Sequence, residues 1–295
     1  MRGVLTALVA AAVLATGSHA VESRDPGDTQ AGVWRRLGPG LEFASFPSPR
    51  AADPPSAMFR VLRIDPRFND FVLVNASAAG DKRARTAKEW CRREGLTAAI
   101  NPSMYQEDHL TSVSLMRSPA HVNNGHLTRD KAILAFDPLE PELPRVRIID
   151  RECDDEDALM ESYGTLVQSI RMISCRGRNV WAPQPKRWSA AVVAVDETGR
   201  ALFIHVRHPY RMHDLINILQ ELPLHIRNAM YAEGGPEAQL YVKSGDVEME
   251  LFGSFEPGFL ESDGNLHAWP IPNVIGIRPR EKTGESETGA AQDQG

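Results

Sequence analysis

Glu233 stands directly before Gly234-Gly235-Pro236 in the stretch YAEGGPEAQLYV, residues 231–242, with Glu237 just beyond. At a strand end on a rigid support, Glu233 could serve as a catalytic carboxylate. The glycines beside it would let a ligand approach the backbone closely. The same letters also spell a hairpin turn, the commoner meaning of Gly-Gly, with NAMYA (228–232) and AQLYV (238–242) as its paired strands.

Three other segments combine polar residues with strand ends. AAINPSMYQEDH, 98–109, runs from an apolar strand into Asn101, Tyr105, Glu107, Asp108 and His109. Read alone, it is a strand followed by a polar turn. Residues 185–214 hold Lys186, Arg187, Arg207, His208 and Arg211 around two strands and a helix start. These suit an anion, and free N–H groups at the helix start near Arg211 would add to that. His205 and His208 invite a metal reading with Asp108, but residues three apart on an extended strand point to opposite faces. His121 and His126 flank the turn Asn123-Asn124-Gly125 and form only a weak metal pair.

The elements that must hold these residues are mostly strands. Seven short runs rich in branched residues read as strands: 58–64, 70–76, 97–101, 132–136, 146–150, 190–195 and 201–206. DETG, 196–199, joins the last two as a tight turn. Thr86 and Glu89 spell a capping box opening a helix that Gly95 stops. Met212, Leu215, Ile216, Leu219 and Leu222 recur on one face of a second helix ended by Pro223. A weaker helix is expected over 155–163. The pattern predicts an α+β fold: a single domain with a largely antiparallel or mixed sheet flanked by helices. A doubly wound dinucleotide fold is disfavoured, because no G-x-G-x-x-G opens a helix and there is no Walker lysine.

The bulk numbers narrow the function. Of 295 residues, 42% are hydrophobic and 24% charged, which excludes a fibrous or wholly disordered chain. Residues 1–20 place Arg2 before an apolar run that ends at Ser18-His19-Ala20, the pattern of a secretory signal peptide. Export to a periplasm or beyond is expected, with no stable membrane span after cleavage. Without those twenty residues, 33 basic residues fall to 32 against 39 acidic ones, a net charge of −7. That balance argues against a nucleic-acid partner. An oxidising compartment permits one disulfide among Cys91, Cys153 and Cys175, and Cys153–Cys175 is the expected pair. No cysteine–histidine zinc spacing exists. Residues 21–57 read as lead-in and loop, 58–278 as the domain, and 279–295 as a disordered tail.

Taken in order, the strand into NPSMY, the block KRWSAAVVAVDETGRALFIHV, the amphipathic helix and NAMYAEGGPEAQLYV resemble the phosphodiester glycosidase family. The family's corresponding pieces read N-x-G-x-F/Y, then R-T/S-A before a D-x-x-G hairpin, then L-D-G-G-x-S-S/T. The resemblance spans about residues 58–277. It implies hydrolysis of the bond between a sugar's anomeric carbon and a bridging phosphate, on a phosphorylated glycan or sugar phosphodiester, with no cofactor and no metal. By position, Asn101 and Tyr105 match the first motif; Arg187, Ser189 and Asp196 the second; Glu233, Gly234 and Gly235 the third. Glu233 stands where the family has Asp. Glycoside cleavage uses two carboxyl groups. Glu233 is therefore assigned as the key one, with Asp196 or Glu107 as the second. Arg187 leads as phosphate partner, with Arg207 and His208 behind it. Asn101, Tyr105, Gly234 and Gly235 are assigned to sugar hydroxyls or phosphate oxygens. Two alternatives stay open: a non-catalytic envelope protein binding anionic glycans, and a metal-dependent phosphoesterase using His205, His208 and Asp108.

Overall fold

A computed structural model describes residues 31–281, so the leader at 1–20 and the tail from 282 onward lie outside the described residues. Seventeen strands, numbered along the chain, form three sheets. The first has the order β1 (Arg35–Gly38), β2 (Leu41–Pro47), β3 (Met58–Ile64), β13 (Ala201–Tyr210), β12 (Trp188–Asp196), β14 (Ile226–Gly234) and β11 (Arg171–Ile173). The second runs β7 (His121–Asn124), β6 (Met116–Ser118), β10 (Tyr163–Ser169), β8 (Ala132–Pro138) and β9 (Val146–Asp150). The third runs β16 (Val247–Phe252), β15 (Gln239–Ser244), β5 (Ala98–Ile100), β17 (Asn273–Pro279) and β4 (Asn69–Asn75). Pairing within all three is antiparallel. Helices are few and short: α1 (Ala87–Glu94), α2 (Glu156–Glu161) and α3 (Met212–Glu221).

This overturns the expected α+β fold with one helix-flanked sheet. The molecule is mostly β, built of three sheets around a shared core. Alternate residues of each strand explain the arrangement, because successive side chains leave opposite faces. Phe43, Leu62, Val193 and Phe203 of the first sheet, Leu134 and Ile148 of the second, and Ile100, Leu240 and Ile275 of the third meet in one cluster. The opposite faces are each covered by one helix. Leu215, Ile216 and Leu219 of α3 lie on the first sheet, Trp90 and Cys91 of α1 on the third, and Leu159 and Met160 of α2 against the second. A short apolar run reads the same whichever sheet it joins, so the sequence did not disclose their number.

Local signals fared better. Thr86 and Glu89 exchange both capping hydrogen bonds, and Gly95 ends α1 in the left-handed conformation. Cys153 and Cys175 are disulfide-bonded, and Cys91 is buried and free. Within 21–57, expected as lead-in and loop, β1 and β2 form the edge of the first sheet. Among the described residues no helix is long and apolar enough to cross a membrane.

The largest local surprise is the Gly-Gly stretch. β14 and β15 do not pair. β14 lies between β12 and β11, whereas β15 lies between β16 and β5 in another sheet. Gly234-Gly235-Pro236 is therefore a crossing from one sheet to the next, through a single 3-10 turn at Gly235–Glu237.

Candidate active site

The crossing is held from below. Asn101, at the end of β5, donates from Nδ2 to the Glu237 carbonyl at 3.0 Å and accepts from the Gln239 N–H at 2.6 Å. His205 Nε2 meets the Ala238 carbonyl at 3.2 Å, which fixes the proton on that nitrogen. Burial pushes the His205 ring down to about 3, so it stays neutral. Asn101, assigned from sequence to substrate, spends both ends of its amide on the turn. Among the described residues it is a positioning residue for Glu237.

Glu233 is aimed by a bulge. Ala191 of β12 pairs with Glu233 while Val192 pairs with Tyr231, which leaves Ala232 as an extra residue in β14. Such bulges re-aim side chains near working sites. The Glu233 side chain is buried, with the residue 8% exposed, and one carboxyl oxygen accepts from the Gly234 N–H at 3.0 Å. Burial pushes the carboxyl up to about 8. The Gly234 bond opposes this, and the charges of Glu237 and Glu256 add to it. Burial disfavours the charged form, so the proton is retained through neutral pH.

Glu237 is half-buried beside it, and Glu256 stands at the exposed rim. The sequence singled out neither as a catalytic partner. Glu256 arrives on the segment after β16, which Arg207 ties down. That guanidinium donates to the carbonyls of Phe252 at 3.0 Å and Asn265 at 2.8 Å, and pairs with Asp263 at 2.8 Å. Ser189 does similar work: its hydroxyl donates to the Arg207 carbonyl at 2.5 Å and accepts from the Ser254 N–H at 2.9 Å. Arg207 is thereby occupied in holding the rim.

Two neutral donors border the crossing, Tyr105 beside Glu237 and Trp188 over Gly234. Tyr105 Oη and Trp188 Nε1 are buried without a hydrogen-bond partner among the described residues. Burial raises the Tyr105 phenol, and the neighbouring Glu237 carboxylate, short of hydrogen-bonding geometry, raises it further. Gly234 is required where Trp188 and Tyr231 close in. A Cβ there would lie 2.1 Å from Tyr231 Oη and 2.6 Å from Trp188 Cδ1. Gly235 takes φ +61° beneath Glu256, a left-handed conformation that glycine adopts freely.

The remaining assignments fall elsewhere. Asp196 sits at the other end of β12, five residues from Ala191, about 16 Å along the strand. Its carboxylate is consumed by the N–H groups of Thr198 and Arg200, the Thr198 hydroxyl and the Arg200 guanidinium. It caps the hairpin turn, away from Glu233. Glu107 is exposed at the tip of the 101–112 loop, beyond Tyr105. Arg187 and His208 line a pocket past Trp188. His205, His208 and Asp108 do not converge: His205 is buried on Ala238, His208 lies against the Tyr210 ring, and Asp108 caps Leu110 and Thr111.

Two outcomes follow from these placements. Asp196→Ala is expected to destabilise the fold by about 1–3 kcal/mol. Activity should fall only in proportion to unfolded protein, as denaturation and turnover on one preparation would show. The second concerns pH. Between about pH 4.5, the ordinary glutamate value, and about pH 8, folded protein keeps a proton on Glu233 that the unfolded chain has released. Stability is therefore full below that window and falls as pH rises through it, by a few kcal/mol at about 1.4 kcal/mol per pKa unit. Denaturant midpoints across that range should slope downward in wild type and more shallowly in Glu233→Gln.

Comparison with known proteins gives three results. Residues 94–278 match a family described as phosphodiester glycosidase. No curated protein matches the sequence. Solved structures share the fold, two of them as follows. The catalytic domain of zebrafish N-acetylglucosamine-1-phosphodiester alpha-N-acetylglucosaminidase, auto-inhibited by its pro-peptide, superposes with a TM-score of 0.54 at 13% identity, over 85% of this chain and 87% of that one. A hypothetical protein from Synechocystis gives 0.56 at 13% identity, over 86% of this chain and 64% of that one.

Proposed function

This chain belongs to the phosphodiester glycosidase family, and from that premise we propose that it hydrolyses the bond between a sugar's anomeric carbon and a phosphate bridging to a second group. The observation that carries this reading is Glu233, a buried carboxyl that keeps its proton up to about pH 8 at the bulged end of β14.

A phosphodiester arrives as an anion, and three ionised glutamates would repel it. A protonated Glu233 removes one of those charges and offers an O–H instead. Tyr105 Oη and Trp188 Nε1 supply two more uncharged donors. Donors fixed in advance stabilise the charge that grows on a departing phosphate. As the C1–O bond breaks, its electron pair passes to the phosphate oxygen, and the Glu233 proton follows. Glu237, the half-buried neighbour, is the carboxylate assigned to the positive character at C1 or to the water attacking there. Asn101 and His205 keep Glu237 in place through the turn. Export is part of the proposal, supported by the leader pattern in residues 1–20 and by a disulfide of the kind oxidising compartments maintain.

The zebrafish enzyme's name supplies the first substrate to offer, an N-acetylglucosamine-1-phosphodiester. Purified protein should release free reducing sugar from it or from another sugar-1-phosphodiester. Calorimetric binding without release from any of them would replace hydrolysis by the glycan-binding reading.

A further inference from the structure

We propose that a groove leading from Glu256 past His208 to Arg187 receives the group across the scissile phosphate, and that this group carries a second anion, a phosphate or a carboxylate, read by Arg187. The inference rests on the reading of Glu233 given above.

Two pockets make the groove. One, of about 360 Å³, lies between the end of β13 and the 255–263 segment and includes Phe255, the neighbour of Glu256. The other, of about 230 Å³, lies between the end of β13 and the start of α3. They share His208 and Pro209, so they adjoin. His208 forms the floor between them, its ring edge-on to Tyr210 at 4.9 Å.

The charges in the second pocket are nearly all spoken for. Arg50 pairs with Glu221 at 2.6 Å, and Arg211 with Asp214 at 3.8 Å. Asp53 accepts from the hydroxyls of Ser48 and Tyr210, each at 2.5 Å. Arg187 lines the same pocket, is exposed, and makes no hydrogen bond or ion pair among the described residues. Its charge is left for a ligand, and its planar fork suits a phosphate or carboxylate in two-point contact.

The pocket linings decide which part of the ligand that is. Arg187 lies four positions along the chain from Ala191, which pairs with Glu233. Neither pocket of the groove is lined by Glu233, Glu237 or Tyr105. The charge that Arg187 meets is therefore placed beyond the phosphate cleaved at Glu233. Arg187, expected from sequence to hold the scissile phosphate, instead meets a charge about one unit further along the substrate. The direction follows from the carboxylates. Glu237 accepts sugar hydroxyls and repels phosphate, so the sugar lies on the Glu237 and Tyr105 side and the leaving group runs toward Arg187.

The test uses two diesters of one sugar-1-phosphate, with glycerol or with glycerol phosphate as the leaving group. Wild type should prefer the second, and Arg187→Glu should lower the ratio of the two kcat/KM values by about tenfold or more, the worth of a charged hydrogen bond. An unchanged ratio overturns the inference, while turnover of the glycerol diester would leave the hydrolase reading standing. A second arm is independent of turnover: glycerol phosphate is titrated calorimetrically into wild type and Arg187→Glu. Binding lost in the variant supports the subsite even if neither diester is cleaved, and equal or absent binding in both overturns it.

Discussion

Glu233→Gln is expected to lower kcat for sugar release by about 10²–10⁴-fold while the protein remains folded. The amide keeps the volume and hydrogen-bonding capacity of the protonated carboxyl but has no proton to give. Burial that holds the Glu233 carboxyl up to about 8 should favour the amide, so the variant should be at least as stable as wild type above neutral pH. The pH profile supplies a sharper check. Wild-type kcat should fall as pH rises through about 8, where Glu233 loses its proton, and the residual activity of the variant should lack that limb. Wild-type turnover in Glu233→Gln would remove this residue from the mechanism, whatever the family.

Gly253→Ala should be the second most damaging change, although Gly253 touches no substrate. A Cβ at this position would lie 1.9 Å from the Gly235 carbonyl oxygen and 2.9 Å from Ser189 Cβ. Its main obstacle is backbone, which cannot rotate aside. Gly253 also donates its N–H to the Ala238 carbonyl and accepts from Asn265 Nδ2 at 2.7 Å. The methyl must therefore push apart the crossing that carries Glu233 and Glu237 and the segment that carries Glu256. Overpacking of this kind costs about 1–3 kcal/mol. A shift of about 1 Å among catalytic groups costs about 10²-fold in rate. Thermal denaturation and kcat measured together would check both, and wild-type kcat in Gly253→Ala would show that the two segments need not touch.

What the chain discloses about itself depends on the range of the forces involved. The Thr86–Glu89 capping box and the Gly95 stop are local hydrogen-bond patterns, and they stand as read. The strands over 58–64 and 146–150 were legible to the residue, because their branched runs are bounded by turn residues. Sheet membership is set by partners far away in sequence. NAMYA and AQLYV carry every local mark of a hairpin, yet Ala191 claims Glu233, and Ile100 claims Leu240. In the site, the glutamate beside Gly-Gly was visible from the order of motifs. Glu256 was not, because it depends on a segment without strand or helix that Arg207 and Ser189 tie in place. Asp196 stood out for the opposite reason. An Asp opening a D-x-x-G turn is a strong local pattern, and turn capping is what it does.

The third sheet has a consequence for how the protein is made. One of its edge strands comes from residues 69–75 and pairs with residues 273–279, and β5, at whose end Asn101 sits, lies between β17 and β15. A chain emerging vectorially holds the Glu233 segment ready long before residue 279 exists, but has no finished sheet on which to seat Asn101 and Glu237. Pairings of such long sequence separation form late and slowly. The nascent polypeptide should therefore stay catalytically silent until the last strand slots in, so the appearance of activity would time the closing of the fold and not its beginning.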